Sequence, residues 1–116
     1  MAAGIDWNAW YAARSDAMLA ELGALVGLES PSEDADAIRA VAHHLAAGFG
    51  EAGARVEIVE EHSNGPNLVA RYGSGERPVL LLGHMDTVWA RGTRSRMPWR
   101  VEGGLAFGPG VFDMKA

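Results

Sequence analysis

A mixed, largely parallel α/β sheet flanked by helices is the fold class this sequence predicts, on three observations. Val79-Leu80-Leu81-Leu82 is an unbroken apolar run led by Pro78. Such a run suits a strand covered on both faces better than an edge strand. Two helical patterns come first, over about 6–26 and 30–52, and two shorter alternating segments lie between them and the apolar run. The order helix, helix, strand, strand, strand places residues 79–82 innermost.

The first helix opens with Asp6 as cap, and Trp7, Trp10, Tyr11, Met18, Leu22, Leu25 and Val26 recur at three- and four-residue steps before Gly27 ends it. The cluster Trp7, Trp10 and Tyr11 is read as packing against the sheet or against the remainder of a longer chain rather than as a partner surface. In Ser30-Pro31-Ser32-Glu33, a serine cap, a proline at the first helical position and a glutamate at the third form a capping box. A later start with Ser32 as the cap fits nearly as well. The second helix then buries Ala37, Ile38, Val41, Leu45 and Phe49, and Gly53 stops it. His43 and His44 diverge by about 100° around that helix, so they face solvent rather than one metal, and His62 sits in the polar turn at 60–65.

Residues 55–59 and 67–72 alternate as strands, with Val56 and Ile58 on one face of the first and Leu68, Ala70 and Tyr72 on one face of the second. Tyr72-Gly73-Ser74-Gly75-Glu76 turns the chain toward 79–82 without the Gly-x-Ser-x-Gly spacing of a serine hydrolase. Residues 101–107, broken by Gly103-Gly104, read as a small hairpin. Gly108-Pro109-Gly110 lacks the Lys-Ser/Thr of a phosphate loop. Its glycines instead suit backbone that passes close to a site.

The net charge of −5 argues against nonspecific nucleic-acid binding, which needs a basic face. With no cysteine, there is neither a disulfide framework nor a thiolate metal site. Any metal must sit on His, Asp or Glu. The opening residues lack a basic stretch and a long apolar run, so no secretory leader or membrane span is expected, and the cytoplasm is the default compartment.

Chemistry concentrates at the end of the apolar run. If the backbone stays extended through Gly83-His84-Met85-Asp86, His84 and Asp86 point to one side, about 6.6 Å apart at roughly 3.3 Å per residue. An imidazole and a carboxylate then meet at the carboxyl end of a buried strand, where open α/β sheets place their ligands.

Gly83-His84-Met85-Asp86-Thr87-Val88 and Gly108-Pro109-Gly110-Val111-Phe112-Asp113-Met114-Lys115, in that order, resemble the two N-terminal signature motifs of the dizinc aminoacylase and carboxypeptidase metallopeptidase family. That family includes glutamate carboxypeptidase, acetylornithine deacetylase and succinyl-diaminopimelate desuccinylase. Trp99-Arg100-Val101-Glu102-Gly103-Gly104 looks most like the glutamate carboxypeptidase branch. Residues 1–116 are thus expected to be an incomplete N-terminal portion of a metallopeptidase catalytic domain. The resemblance implies that His84 binds one zinc, that Asp113 bridges two, and that Asp86 is the catalytic-site carboxylate steadying a histidine ligand. It also implies a cis peptide bond after Asp113. The cofactor would be two zinc ions, with cobalt or manganese as substitutes. The substrate would be a small peptide or an N-acyl amino acid, and the complete enzyme would be a homodimer without a nucleic-acid or membrane partner.

Independently of the name, zinc accepts imidazole nitrogen and carboxylate oxygen, and a histidine ligand usually donates its other N–H to a carboxylate. The family pattern also needs an adjacent glutamate pair, a further carboxylate and a late histidine, none of which follows Asp113. Two protein ligands cannot close a tetrahedral site. The 116 residues alone are therefore expected to bind zinc weakly and to hydrolyse nothing.

Arg91, Arg94, Arg96 and Arg100 follow the first motif; loop arginines are usually solvated, although four of them could draw in a substrate carboxylate. Within the family, a glutamate carboxypeptidase is expected over a deacylase or dipeptidase. Outside it stand a metal-free binding module and a gene remnant without a role of its own.

Overall fold

A computed structural model describes residues 4–116. The leader reading of the first three residues lies outside that range. The elements are α1 (Trp7–Ala12), α2 (Ser15–Gly27), α3 (Ala35–Glu51), β1 (Arg55–Val59), β2 (Asn67–Arg71), α4 (Thr93–Arg96), β3 (Arg100–Glu102) and β4 (Leu105–Phe107). The chain is therefore mixed α/β, but its sheets are two antiparallel hairpins, β1 with β2 and β3 with β4. The largely parallel central sheet expected from the sequence is not present among the described residues.

Asp6 caps α1 as expected, its carboxylate accepting from Ala9 N–H at 3.1 Å. The helix does not run through to Gly27, however. It breaks after Ala12, where Arg14 N–H closes a tighter turn onto Tyr11 O and the Ser15 hydroxyl takes the Ala12 carbonyl. That side-chain bond competes with the helical ladder. Trp7, Trp10 and Tyr11 form a cluster of rings. They pack edge-on or tilted against one another, Trp10 lies under the Arg14 guanidinium at 4.1 Å, and Trp7 and Tyr11 stay more than half exposed.

The second helix starts later than the capping box implies. Asp34 is its cap, accepting from Ala37 N–H at 3.0 Å. Ser30 and Pro31 are drawn off into a parallel bridge with the segment around Thr87. Ala37, Ile38, Val41 and Ala42 of α3 are buried with Leu25 and Val26 of α2, whereas Phe49 of the predicted stripe is 45% exposed, one turn beyond what the core covers. The α3 helix packs on the β1–β2 hairpin, whose register runs from Arg55 opposite Arg71 to Val59 opposite Asn67. Gly53 turns the chain between them at φ 87°, a left-handed conformation glycine adopts without cost.

Residues 79–82 depart furthest from expectation. They are 81–90% exposed and belong to no strand. A doubly apolar run becomes a buried strand only when strands flank it and layers cover it. Among the described residues β1 through β4 pair only within their own hairpins, so none of them flanks it. The molecule is flat accordingly, with extents of 52 × 40 × 19 Å. No described helix is long and apolar enough to cross a membrane.

Candidate metal centre

Residues 29–32, between α2 and α3, lie alongside residues 85–87. Thr87 N–H donates to Ser30 O at 2.7 Å, and Ser32 N–H donates to Thr87 O at 3.1 Å. The fully buried Ser30 hydroxyl donates to Met85 O at 2.7 Å. These bonds hold the backbone on either side of Asp86 while leaving the Asp86 carbonyl free for another donor.

His84 takes it. Its Nδ1 lies 2.9 Å from Asp86 O and 3.3 Å from Asp86 Oδ1. Both are acceptors, which favours a proton on Nδ1. The Asp86 carboxylate, which faces His84 as the His-x-Asp spacing implies, also accepts from the Ser32 hydroxyl at 2.5 Å. That bond is the main reason the Asp86 pKa lies below the usual carboxylate range, partial burial opposing it.

Asp113 arrives from the other side. After the β3–β4 hairpin, Val111 N–H bonds Gly108 O at 3.3 Å and Lys115 N–H bonds Gly110 O at 3.2 Å, curling residues 108–115 back toward Thr87. Gly110 has φ 72°, and a Cβ there would lie 2.6 Å from Thr87 Cγ2. The Asp113–Met114 peptide bond is cis, as the resemblance implies. The Lys115 ammonium reaches the end of α2, donating to Leu25 O at 2.9 Å and to Leu28 O. Burial pushes its pKa down to about 8 against the pull of Glu29. A cavity of about 80 Å³ behind the site is lined by Leu25, Val41, Leu45, His84, Met85, Met114 and Lys115.

The curl brings Asp113 Oδ1 to 3.0 Å from His84 Nε2. If Nδ1 holds the proton, a neutral imidazole presents a lone pair to a carboxylate oxygen. Only a second proton or a cation resolves that opposition. The His84 pKa is raised accordingly, first by the bond to the Asp86 carbonyl and further by Asp113, against some desolvation. The fit to a metal is close in kind. Two ligands at zinc–nitrogen and zinc–oxygen distances near 2.1 Å sit roughly 3.4 Å apart at a tetrahedral centre, a few tenths of an ångström from the spacing here. The Asp113 side chain is 72% exposed, so further ligands have room to approach. Among the described residues no group of three or more His, Asp or Glu side chains could hold a metal ion.

No family model matches the chain. Carboxypeptidase G2 of Pseudomonas sp. (strain RS-16) is 36% identical over 102 residues, which is 85% of this chain and 25% of that protein. Acetylornithine deacetylase of Vibrio parahaemolyticus serotype O3:K6 (strain RIMD 2210633) is 38% identical over 78 residues, 65% of this chain and 21% of that protein. The same-named protein of Vibrio campbellii (strain ATCC BAA-1116) is 37% identical over the same shares. These similarities support the M20 metallopeptidase family for this chain. It spans about a fifth to a quarter of the length of these relatives.

The arginines of this chain are mostly engaged with its own groups. Arg91 pairs with Asp34, Arg94 donates to Gly27 O at 2.7 Å, and Arg100 lies 3.4 Å from Glu102 and 4.0 Å over the Phe107 ring. Arg96 is exposed and makes no ion pair among the described residues. Two contributors escaped the sequence reading. Glu29 accepts from Gly92 N–H and Arg94 N–H, both at 2.9 Å, and anchors the loop after the first motif. Ser32 bonds Asp86 although its spacing suggests a helix cap.

Proposed function

We propose that this chain provides part of the metal centre of a zinc-dependent exopeptidase or amidohydrolase that cleaves an amide bond next to a free carboxylate, in the manner of a glutamate carboxypeptidase. The 3.0 Å approach of His84 Nε2 to Asp113 Oδ1 carries the reading, because it sets two atoms of metal-ligating type side by side where a cation could take the place of a proton. In this reading His84 and Asp113 would be the residues of this chain that hold zinc. Asp86 accepts the Nδ1 proton and keeps the Nε2 lone pair turned outward. When bound, zinc would polarise the scissile carbonyl and bring the pKa of water toward neutrality.

Carboxypeptidase G2, the relative matched over most of the chain, supports a carboxypeptidase acting on a small peptide. The second reading is an N-acyl amino acid deacylase or dipeptidase, and the name acetylornithine deacetylase among the relatives favours the deacylase form. Cobalt or manganese could replace zinc, and we propose a homodimer for the complete enzyme. A metal-free binding module or a gene remnant is the weaker reading, since His84, Asp86 and Asp113 all stand in one cluster.

Two protein ligands leave a zinc site open, so the 116 residues alone should bind the metal weakly and turn over neither peptides nor N-acyl amino acids. Calorimetric titration of the chain with zinc should show weak binding that is lost in His84→Ala and Asp113→Ala. Zinc binding by both variants equal to the parent would refute the proposal, and turnover by the purified chain free of other hydrolases would refute the expected inactivity.

A further inference from the structure

The Ser32 hydroxyl has no role in starting α3, because Asp34 already caps that helix. It has two acceptors within reach, Thr87 O at 3.3 Å and Asp86 Oδ2 at 2.5 Å. A hydroxyl has one proton to give, and the short approach to a charged acceptor identifies the carboxylate as its recipient. We infer that Ser32 is a positioning residue, which fixes the Asp86 carboxylate and through it, beside the Asp86 carbonyl, biases which nitrogen of His84 holds the proton. The inference rests on the reading of His84 as a metal ligand.

Consider Asp86 without it. The terminal torsion of an aspartate is broad and roughly two-fold, so a carboxylate tethered by nothing sweeps through a wide arc. Ser32 takes Oδ2, and because the carboxylate is planar this also directs Oδ1, which lies 3.3 Å from His84 Nδ1. Ser32 is itself held in place. Its backbone N–H donates to Thr87 O at 3.1 Å, and Asp34 N–H donates to Pro31 O at 2.9 Å, closing a turn around it. The relay therefore runs from a fixed hydroxyl to a fixed carboxylate to an imidazole nitrogen that also faces the Asp86 carbonyl at 2.9 Å. At its far end Nε2 faces Asp113 at 3.0 Å. In the neutral ring the two nitrogens compete for one proton. Asp86 draws it to Nδ1, which leaves a lone pair for a metal, and Asp113 draws it to Nε2, which blocks one. By holding Asp86 in place, Ser32 weights the competition toward the metal-ready tautomer.

The side chain of Ser32 belongs to an exposed residue, so removing its oxygen should leave the fold standing. Ser30 provides the contrast. Its hydroxyl is buried and bonds Met85 O, so it supports the same backbone without touching the Asp86 carboxylate.

The test is imidazole nitrogen NMR on the metal-free chain at alkaline pH, where His84 is neutral, together with calorimetric titration with cobalt. The parent chain should show mainly the Nδ1–H form. Ser32→Ala should move the ring toward Nε2–H and weaken cobalt binding by about tenfold, the lower end of what loss of a supporting hydrogen bond costs a metal site. Ser32→Thr, which keeps the hydroxyl, should restore both. Ser30→Ala should lower the melting temperature and leave the tautomer alone. A Ser32→Ala chain with the parent nitrogen pattern, or an equal tautomer shift in Ser30→Ala, would overturn the inference. If the parent chain binds no cobalt yet Ser32→Ala still shifts the tautomer, the positioning role stands and the metal reading fails.

Discussion

Replacing Gly110 by alanine should destabilise the chain through two separable effects. At φ 72° an alanine pays for the left-handed conformation, roughly 1–2 kcal/mol. Its Cβ would also lie 2.6 Å from Thr87 Cγ2, far inside the usual carbon–carbon contact of about 3.5–4.0 Å. Thr87 has little freedom to retreat. It is buried, its N–H and C=O are bonded to Ser30 and Ser32, and β-branching stiffens its first torsion. Overpacking of this kind costs about 1–3 kcal/mol, giving a combined loss of roughly 2–5 kcal/mol. Urea unfolding followed by tryptophan fluorescence at low protein concentration should show the midpoint falling by about 1–3 M. Thr87→Ser removes the opposing methyl, so the double variant should recover the overlap portion and leave the backbone portion, a coupling of about 1–3 kcal/mol in a mutant cycle. Gly75→Ala, in open space and without positive φ, should change stability by less than about 0.5 kcal/mol. A Gly110→Ala chain as stable as Gly75→Ala would refute the close approach of residues 108–115 to Thr87.

Three further outcomes follow from contacts described above. The pKa of Glu29 lies below its ordinary 4.5, chiefly because Arg94 and Gly92 N–H groups donate to it. A depressed carboxylate contributes stability that is present above the unfolded pKa and lost as pH falls through the folded one. The urea midpoint should therefore drop on acidification below about pH 4.5, and less steeply in Glu29→Gln. Asp34→Ala removes the cap on Ala37 N–H and should cost about 1 kcal/mol, while Asp34→Asn keeps an acceptor and most of the stability, as read by circular dichroism in urea. The exposed run at 79–82 should make the chain self-associate, and Leu81→Lys should reduce this in sedimentation velocity; a parent chain sedimenting as a clean monomer would contradict it.

Local chemistry was legible where the local chain decides the outcome. Asp6 caps the first helix, Gly53 ends α3, and the Gly103-Gly104 pair turns the last hairpin because capping and left-handed turns are settled within a few residues. The 79–82 run misled because its apolar character states what would cover it, not whether the chain supplies the cover. Ser30 and Pro31 misled for a related reason. Their pattern fits a helix start, and a bridge to residues more than fifty positions away outcompeted it. Within the site, the His-x-Asp spacing put His84 and Asp86 together, and only the family resemblance brought in Asp113. Ser32 could not be found either way, since nothing in its neighbourhood points to Asp86.

The bridge between residues 30–32 and 85–87 has a consequence for the order of assembly. It closes a loop of about 55 residues, so its entropic cost must be met before its few bonds can repay it. Helix α3 and the β1–β2 hairpin lie wholly inside that loop and can form first, as local contacts generally do. The imidazole and its carboxylates would then be brought into line late, by the closing of a wide ring around elements already formed. In amide hydrogen exchange, Thr87 and Ser32 should accordingly open together, and before the interior of α3.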